Sequence, residues 1–158
     1  MAGPRAVALG GGHGLAASLA ALRQVTESLT AIVTVADNGG SSGRLRRDFG
    51  VLPPGDLRMA LAALCGDDEW GTTWSKVVQH RFAGDQELAG HAVGNLLIVA
   101  LWDLLGDTVA GLDWVGRLLG TGGKHRSVAI ADELAARVAG ALGTGADVQV
   151  VHRDLGRE

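Results

Sequence analysis

The sequence predicts an α/β fold of the Rossmann-like, doubly wound type, with a mainly parallel sheet and flanking helices. The apolar run Ala6-Val7-Ala8-Leu9 is followed by a glycine turn and then by an alanine- and leucine-rich segment that ends at Leu22. A second apolar run, Leu29 to Ala36, is rich in β-branched residues and has the pattern of a strand buried on both faces of a parallel sheet. The segment between the two runs accommodates one helix, which predicts a right-handed βαβ unit.

Length and composition predict one domain that spans residues 1–158 and buries a substantial core, since 47% of its residues are hydrophobic. The net charge of −3 disfavours nucleic acid as a general partner. No membrane span is expected, because the apolar run Leu96 to Trp102 is too short. The single cysteine, Cys65, lies in an apolar run and is interpreted as a core thiol. Together with the lack of a signal-peptide pattern, this predicts a cytoplasmic protein.

The first glycine turn is a candidate phosphate-binding loop. It places Gly11, Gly12, His13 and Gly14 between a strand and a helix. The amide groups at a helix N-terminus attract anions, and glycine allows the backbone to approach a phosphate closely. Alone, this loop is compatible with many nucleotide folds.

A second candidate loop follows the second strand, and its members are Asp37, Asn38, Gly39, Gly40, Ser41, Ser42, Gly43 and Arg44. Asp37 lies 23 residues after Gly14, near the spacing at which dinucleotide folds offer a carboxylate to a ribose. Hydroxyl groups, amide groups and Arg44 together predict an anion pocket. The carboxyl ends of parallel strands share one edge, so this loop is expected to face the first one. A flexible surface turn is the structural alternative.

Three further polar residues are assigned to helix starts. Asp56 follows Pro53-Pro54-Gly55 and is interpreted as the N-cap of a helix over Leu57 to Leu64, or as an anion- or metal-facing group. Asn95 is interpreted as the N-cap of a helix that runs to Leu105. His91, between two glycines, is a candidate donor to a phosphate or sugar, with a structural role as the alternative.

The remaining segments organise the rest of the chain. Helices are predicted over Trp70 to Phe82, Asp107 to Leu119 and Ala129 to Leu142. Thr121 to Arg126 reads as a glycine loop with three cations that does not match a Walker motif. A final short strand is predicted over Asp147 to His152.

Taken together, the motifs resemble the gluconeogenesis factor family (YvcK-like proteins), which is related to the CofD phospholactate transferases. The resemblance extends over about residues 7–119 and leaves residues 120–158 unmatched. Its motifs are Gly10 to Leu15, Val33 to Arg46, Pro53 to Arg58, Gln79 to Phe82 and Leu88 to Leu96.

The resemblance implies a Rossmann-like bacterial protein that binds UDP-sugars, notably UDP-N-acetylglucosamine, and links carbon metabolism to cell-wall precursor supply and cell shape. Gly11 to Gly14 would hold the diphosphate. Asp37 and the Gly39 to Gly43 loop would line the nucleotide or metal site, and His91 to Asn95 would close the pocket. A regulated protein partner is also implied.

The chain departs from the family pattern at three places. Asn38 follows Asp37 where the family usually has a second aspartate, which weakens the case for Mg²⁺ held by Asp37. His13 stands where a threonine is common. Family members are also longer, so we expect a shortened or truncated member in which part of the pocket is missing, or is rebuilt by its tail or by a second subunit in a homodimer.

Three functions compete at this point. A nucleotide-sugar-binding regulator without catalytic residues is favoured, because glycine loops suit binding and no hydrolytic residue set is evident. The second is a CofD-like transferase that uses a guanosine nucleotide donor and Mg²⁺ at Asp37. An NAD-dependent oxidoreductase ranks last, since it leaves Gly39 to Gly43 and Pro53 to Arg58 unexplained.

Overall fold

A computed structural model of the chain describes residues 4–121, 126–131, 134, 136 and 141. Within these residues, helices pack against a three-stranded sheet. The elements in chain order are β1 (Arg5–Gly10), α1 (Gly12–Leu22), β2 (Ser28–Val33), α2 (Gly40–Phe49), α3 (Gly55–Leu64), α4 (Glu69–Gln79), α5 (Val93–Leu105), α6 (Thr108–Leu118) and β3 (Arg126–Ile130).

The sheet is parallel, with β2 between β1 and β3. Ala31 pairs with Ala8 on one side and with Val128 on the other. The strand, helix and strand from β1 to β2 therefore form the predicted βαβ unit, and the α/β, Rossmann-like fold class is confirmed.

The core lies on one face of this sheet. Leu29, Ala31 and Val33 of β2 are fully buried beneath α1 and α3, whose Leu19 and Leu57 are also fully buried. The residues of β2 that alternate with these three, on the opposite face of the sheet, are only half-buried. The prediction that this strand is buried on both faces is therefore right for one face, since Val7 of the neighbouring β1 is 65% exposed on the other.

The second glycine loop is shorter than predicted, because α2 begins inside it at Gly40. Ser41, Ser42, Gly43 and Leu45 form the buried side of this helix. Gly50, with a φ of +65°, ends it in the left-handed conformation that favours glycine. The Gly-Ser composition of this stretch indicated a turn, but burial against the core stabilises a helix.

The strand β3 was not predicted from the sequence. Arg126 was assigned to a glycine loop and Ala129 to the start of a helix, but both pair with β2. Only five residues make up this strand, so its identity depends on pairing with β2 more than on local composition. Residues 122–125 of the predicted loop, most of the predicted helix over Ala129 to Leu142 and the predicted strand over Asp147 to His152 lie outside the described residues.

The longest described helix, α5, has 13 residues and contains the apolar run Leu96 to Trp102. A helix rises about 1.5 Å per residue, so this one is well short of a hydrocarbon core of about 30 Å. Across the described part of the chain, no helix is both long enough and apolar enough to cross a membrane.

Cys65 is a core residue, as predicted. Its side chain is 1% exposed and its Sγ donates to the carbonyl oxygen of Leu61 at 3.5 Å. Burial raises the pKa of the thiol to about 11. The reactive thiolate is therefore scarce at neutral pH, which disfavours a nucleophilic role.

Replacing Leu19 with alanine tests the position of the core. Leu19 is fully buried beneath the sheet, so Leu19→Ala should lower the free energy of unfolding by about 2–5 kcal/mol. The matched control is Leu104→Ala, because Leu104 is also helical but 78% exposed, and its loss should change stability by no more than about 0.5 kcal/mol. Urea denaturation measures both values, and equal losses would contradict the assigned core.

Candidate functional site

The predicted glycine loops lie together at the carboxyl edge of the sheet. β1 ends at Gly10 and β2 ends at Val33, and the amide of Thr34 donates to the carbonyl oxygen of Gly10 at 2.9 Å. Helices α1 and α2 begin at Gly12 and Gly40, just beyond these strand ends. The positive ends of two helix dipoles are therefore found at the edge where ligands bind in this fold class.

The carboxylate of Asp56 packs against the first loop. A Cβ atom on Gly11 would overlap both Asp56 Oδ2 and Thr34 Oγ1, so this close approach requires glycine. Gly12 has a φ of +58°, and a Cβ there would lie 3.8 Å from Asp56 Oδ1. His13 and Gly14 are exposed in the first turn of α1.

The interpretation of Asp56 as an N-cap is wrong. Pro54 holds the N-cap position of α3 without a side-chain bond, and Asp56 lies inside the first turn. The backbone of Pro54 is already near-helical, so the helix begins earlier, at Gly55. An acidic group in the first turn still interacts favourably with the helix dipole.

Asp37 joins the second loop to the start of α3. Its Oδ1 accepts the amide hydrogen of Gly39 at 3.0 Å, a local bond typical of an aspartate turn. A Cβ atom on Gly55 would overlap Asp37 Oδ2 and Ser42 Oγ. The carboxylates of Asp37 and Asp56 thus flank the N-terminus of α3, each beside a glycine loop.

Two of the side chains predicted to bind a ligand form hydrogen bonds within the protein. Asn38 is exposed, and its Oδ1 accepts from Arg46 Nη1 at 3.4 Å on α2. Arg44 Nη2 donates to the carbonyl oxygen of Ala89 at 2.6 Å. In this structure Arg44 therefore fixes the loop that precedes α5.

A buried polar cluster lies behind the loops, formed by Arg58, Asn95, Ser41, Ser42 and His91, each at most 7% exposed. Arg58 Nε donates to Asn95 Oδ1 at 3.0 Å. Asn95 Nδ2 donates to Ser41 Oγ at 3.0 Å and to Ser42 Oγ at 3.4 Å. The cluster connects α2, α3 and α5, which come from distant parts of the sequence.

The interpretation of Asn95 as an N-cap is also wrong. The N-cap of α5 is Ala92, and Asn95 lies in the first turn with 1% exposure. Its amide is directed across the helix interface, because the buried guanidinium of Arg58 needs an acceptor. Arg58 also donates from Nη1 to Gln79 Oε1 at 3.1 Å.

The direction of these bonds determines the protonation of His91. Arg58 can only donate, so Asn95 presents its oxygen to Arg58 and its NH₂ group to Ser41. Ser41 Oγ also accepts from the amide of Ala92 at 3.4 Å, which leaves its own hydrogen for His91 Nδ1 at 3.0 Å. His91 therefore accepts at Nδ1 and carries its hydrogen on Nε2.

Electrostatics agree with a neutral His91. Burial, and secondarily the charge of Arg44, lower the pKa of His91. Burial and the nearby Arg81 also lower the pKa of Arg58, whereas the carboxylates of Asp37 and Asp56 act in the opposite direction. Those carboxylates thus help to compensate the buried guanidinium.

The serine and histidine of this cluster do not form a nucleophilic pair. Ser41 is 2% exposed, and its Oγ already accepts from Asn95 and from the amide of Ala92. A nucleophilic hydroxyl needs access to its substrate and a base that is free to take its hydrogen. The hydrogen bonds of Ser41 instead hold α2 against the start of α5.

The segment between α4 and α5 is folded back on itself around His91. Its ends are joined by an antiparallel β-bridge between Arg81 and Ala92, and the amide of Phe82 donates to the carbonyl oxygen of His91 at 3.3 Å. Arg81 Nη1 donates to the carbonyl oxygen of Gly90 at 2.8 Å. The predicted motifs Gln79 to Phe82 and Leu88 to Leu96 therefore form one unit around His91.

Sequence reasoning missed the central place of Arg58, which it named as the last residue of the Pro53 to Arg58 motif. Its burial was detectable only in part, from the apolar residues around it in the first turn of α3. The contacts of Thr34 and Gln79 gave no sequence signal, because both depend on the packing of separate elements.

Within the ranges that the structure describes, no three His, Cys, Asp or Glu side chains come together in a group able to hold a metal ion. The assignment of Asp37 as a metal ligand stays a prediction.

Comparison with known proteins agrees with this fold and these motifs. The family model for CofD, 2-phospho-L-lactate transferase, matches residues 6–133, which is most of the chain. The chain belongs to the CofD family. The match extends 14 residues beyond Leu119, so it includes β3.

Relatives of this CofD-family chain include bacterial gluconeogenesis factors, which confirms the resemblance found in its motifs. A Mycobacterium leprae relative is 60% identical over 121 residues, covering 77% of this chain and 34% of its own length. The gluconeogenesis factor of Bacillus subtilis is 40% identical over 121 residues, covering 77% of this chain and 37% of its own length. The CofD-family chain thus spans little more than a third of either relative.

A crystal structure of a UPF0052 family member from Bacillus halodurans has the same fold. Its TM-score with this CofD-family chain is 0.68 at 37% sequence identity. The match covers 80% of this chain and 39% of the other.

The stability of the protein should depend on the protonation of His91. The pKa of His91 is lowered on folding, so between this lowered value and the ordinary value of 6.5 the unfolded chain binds more protons than the folded one. Stability should therefore fall as pH falls below about 6.5. His91→Gln should lose less stability over this interval than the unsubstituted protein. His80→Gln, an exposed control, should leave the profile unchanged in melting curves.

Asn95→Leu tests the cluster itself. The substitution leaves the buried guanidinium of Arg58 without its Asn95 acceptor and should cost about 3 kcal/mol in the free energy of unfolding. Asn38→Leu is the matched control, because Asn38 is exposed, and should cost no more than about 0.5 kcal/mol. Chemical denaturation distinguishes the two, and similar losses would refute the cluster.

Proposed function

We propose that this CofD-family chain binds a nucleotide sugar of the UDP-N-acetylglucosamine type at the carboxyl edge of its sheet. The observation that carries the proposal is the convergence of three helix N-termini, those of α1, α2 and α3, on loops where Gly11 and Gly55 have no room for a side chain. Such N-termini bind anions through their amide groups and dipoles.

The diphosphate is assigned to the first loop. Gly12 begins α1 with a positive φ, and its neighbours His13 and Gly14 are exposed to an incoming ligand. A phosphate at this position would interact with the first amides of α1. His13 offers an imidazole for a further contact.

The nucleotide and sugar are assigned to the second loop and to the segment that precedes α5, which contains His91. Asp37, Gly39 and Gly40 form the rim at the start of α2, and His91 offers a hydrogen on Nε2 from the opposite wall. Asn95, Ser41 and Ser42 bond to one another, so their role is to hold this wall in place.

We assign the chain a regulatory role, linking central carbon metabolism to cell-wall precursor supply and cell shape. Support comes from relatives named gluconeogenesis factor and from the buried, fully engaged Ser41, which disfavours covalent catalysis. A regulated protein partner and a homodimer that completes the crevice belong to the same proposal.

A second candidate is transfer of a phospho-organic acid from a guanosine nucleotide. It is favoured by the carboxylates of Asp37 and Asp56, which flank the phosphate loops, and by the matching family model. Mg²⁺ commonly binds one or two carboxylates together with substrate phosphates, so this pair fits it. The ion would supply charge neutralisation, and Asp37 and Asp56 would orient the phosphates.

Calorimetric titration with UDP-N-acetylglucosamine, GDP with Mg²⁺, and NAD discriminates these functions. The regulator should bind UDP-N-acetylglucosamine in the presence of EDTA and bind NAD no more than weakly. Binding of GDP that requires Mg²⁺ and is lost in Asp56→Asn would favour the transferase. Selective binding of NAD would reject both.

Gly12→Val should weaken UDP-N-acetylglucosamine binding at least about tenfold, because the side chain occupies the phosphate approach. Gly120→Val is the matched control. Gly120 also has a positive φ, of +70°, so backbone strain is similar, but it follows α6 and leads toward the opposite edge. If both variants remain folded and bind equally well, the first loop is not part of the site.

A further inference from the structure

A cavity of about 680 Å³ lies at the C-terminal end of α2, away from the crevice at its N-terminal end. Its walls come from α2, the segment after it, and the region where α5 passes into α6. Its volume is within the usual range for small-molecule sites. None of the residues assigned to the nucleotide-sugar site lines it.

The cavity has an apolar floor. Val51, Leu52 and Val99 contribute aliphatic surface, and the indole of Trp102 is 5% exposed. Phe49, at the rim, is 62% exposed. A ligand that covered Phe49 would gain hydrophobic contact without rearranging the core.

Charges of both signs stand on the walls. Arg46 comes from α2 and Asp103 from α5, and among the described residues no ion pair of 4.0 Å or less joins them. Arg46 donates from Nη1 to Asn38 Oδ1, which leaves the other N–H groups of its guanidinium available to a ligand. The other acidic group, Asp107, already accepts the amide hydrogens of Val109 and Ala110 as the cap of α6.

We infer that this cavity binds an apolar zwitterion of the amino-acid type. The carboxylate of such a ligand pairs with Arg46, its ammonium group pairs with Asp103, and its hydrocarbon body covers Phe49 and the floor. A ligand with a single charge would pair with only one of these two side chains. The proposal is independent of the nucleotide-sugar site, because it uses different residues.

Three probes with nearly the same hydrocarbon body test this inference: phenylalanine, 3-phenylpropionate and phenethylamine. The readout is the indole N–H signal of Trp102 in a ¹⁵N–¹H spectrum, assigned among the four tryptophans by Trp102→Phe. Trp102 Nε1 donates to the carbonyl oxygen of Thr108 at 2.9 Å, beside the cavity. Phenylalanine should bind about threefold more tightly than either singly charged probe, as expected for exposed charge pairs.

Two variants test the two charged side chains separately. Arg46→Met should reduce phenylalanine affinity to that of phenethylamine, and Asp103→Asn should reduce it to that of 3-phenylpropionate. Arg47→Met is the matched control, because Arg47 is an exposed neighbour that does not line the cavity, and it should change nothing. Melting curves verify that each variant is folded.

Equal affinities for the three probes, or equal losses in Arg46→Met and Arg47→Met, would overturn the inference. So would a Trp102 signal that shifts with protein concentration and not with any probe, because a second copy of the chain would then occupy the cavity.

Discussion

The hydrogen bond between Arg58 and Asn95 is the interaction on which the rest of the site depends. A buried guanidinium must have acceptors, and Arg58 finds them on α5 and at the end of α4. By orienting the amide of Asn95, it also orients Ser41 at the start of α2. One buried charge thus fixes the relative positions of four helices, α2 to α5, near the carboxyl edge of the sheet.

The glycines of the edge follow from the same packing. With α3 held by Arg58, the carboxylates of Asp56 and Asp37 press against Gly11 and Gly55, where no Cβ atom fits. The helix N-termini that result are electropositive, and the carboxylates offset part of that charge. The crevice therefore combines electropositive helix N-termini with acidic groups, which is why a nucleotide-sugar-binding protein and a Mg²⁺-dependent transferase are both chemically reasonable proposals for it.

Local sequence pattern was sufficient for the βαβ unit and for the approximate positions of five of the six described helices, but not for α2, whose Gly-Ser composition indicated a turn. It was sufficient also for bringing the first two loops to one edge, because parallel strands fix that geometry. Local pattern failed where contacts between distant parts of the sequence determine the structure. Asp56 and Asn95 have side chains typical of N-caps, yet each lies inside the first turn of its helix, and the short strand β3 exists through its pairing with β2. The burial of Arg58 was missed for the same reason, because its acceptors Asn95 and Gln79 lie on other helices.

The central claim is that this network holds His91 neutral, with its hydrogen on Nε2. Long-range ¹⁵N–¹H spectroscopy of the imidazole nitrogens at pH 7 measures this state directly. A protonated Nε2 and an unprotonated Nδ1 are expected, and Asn95→Leu should disturb that pattern. An imidazolium, or a hydrogen on Nδ1, would contradict the account, because the chain of donors from Arg58 through Asn95 and Ser41 would then run in the wrong direction.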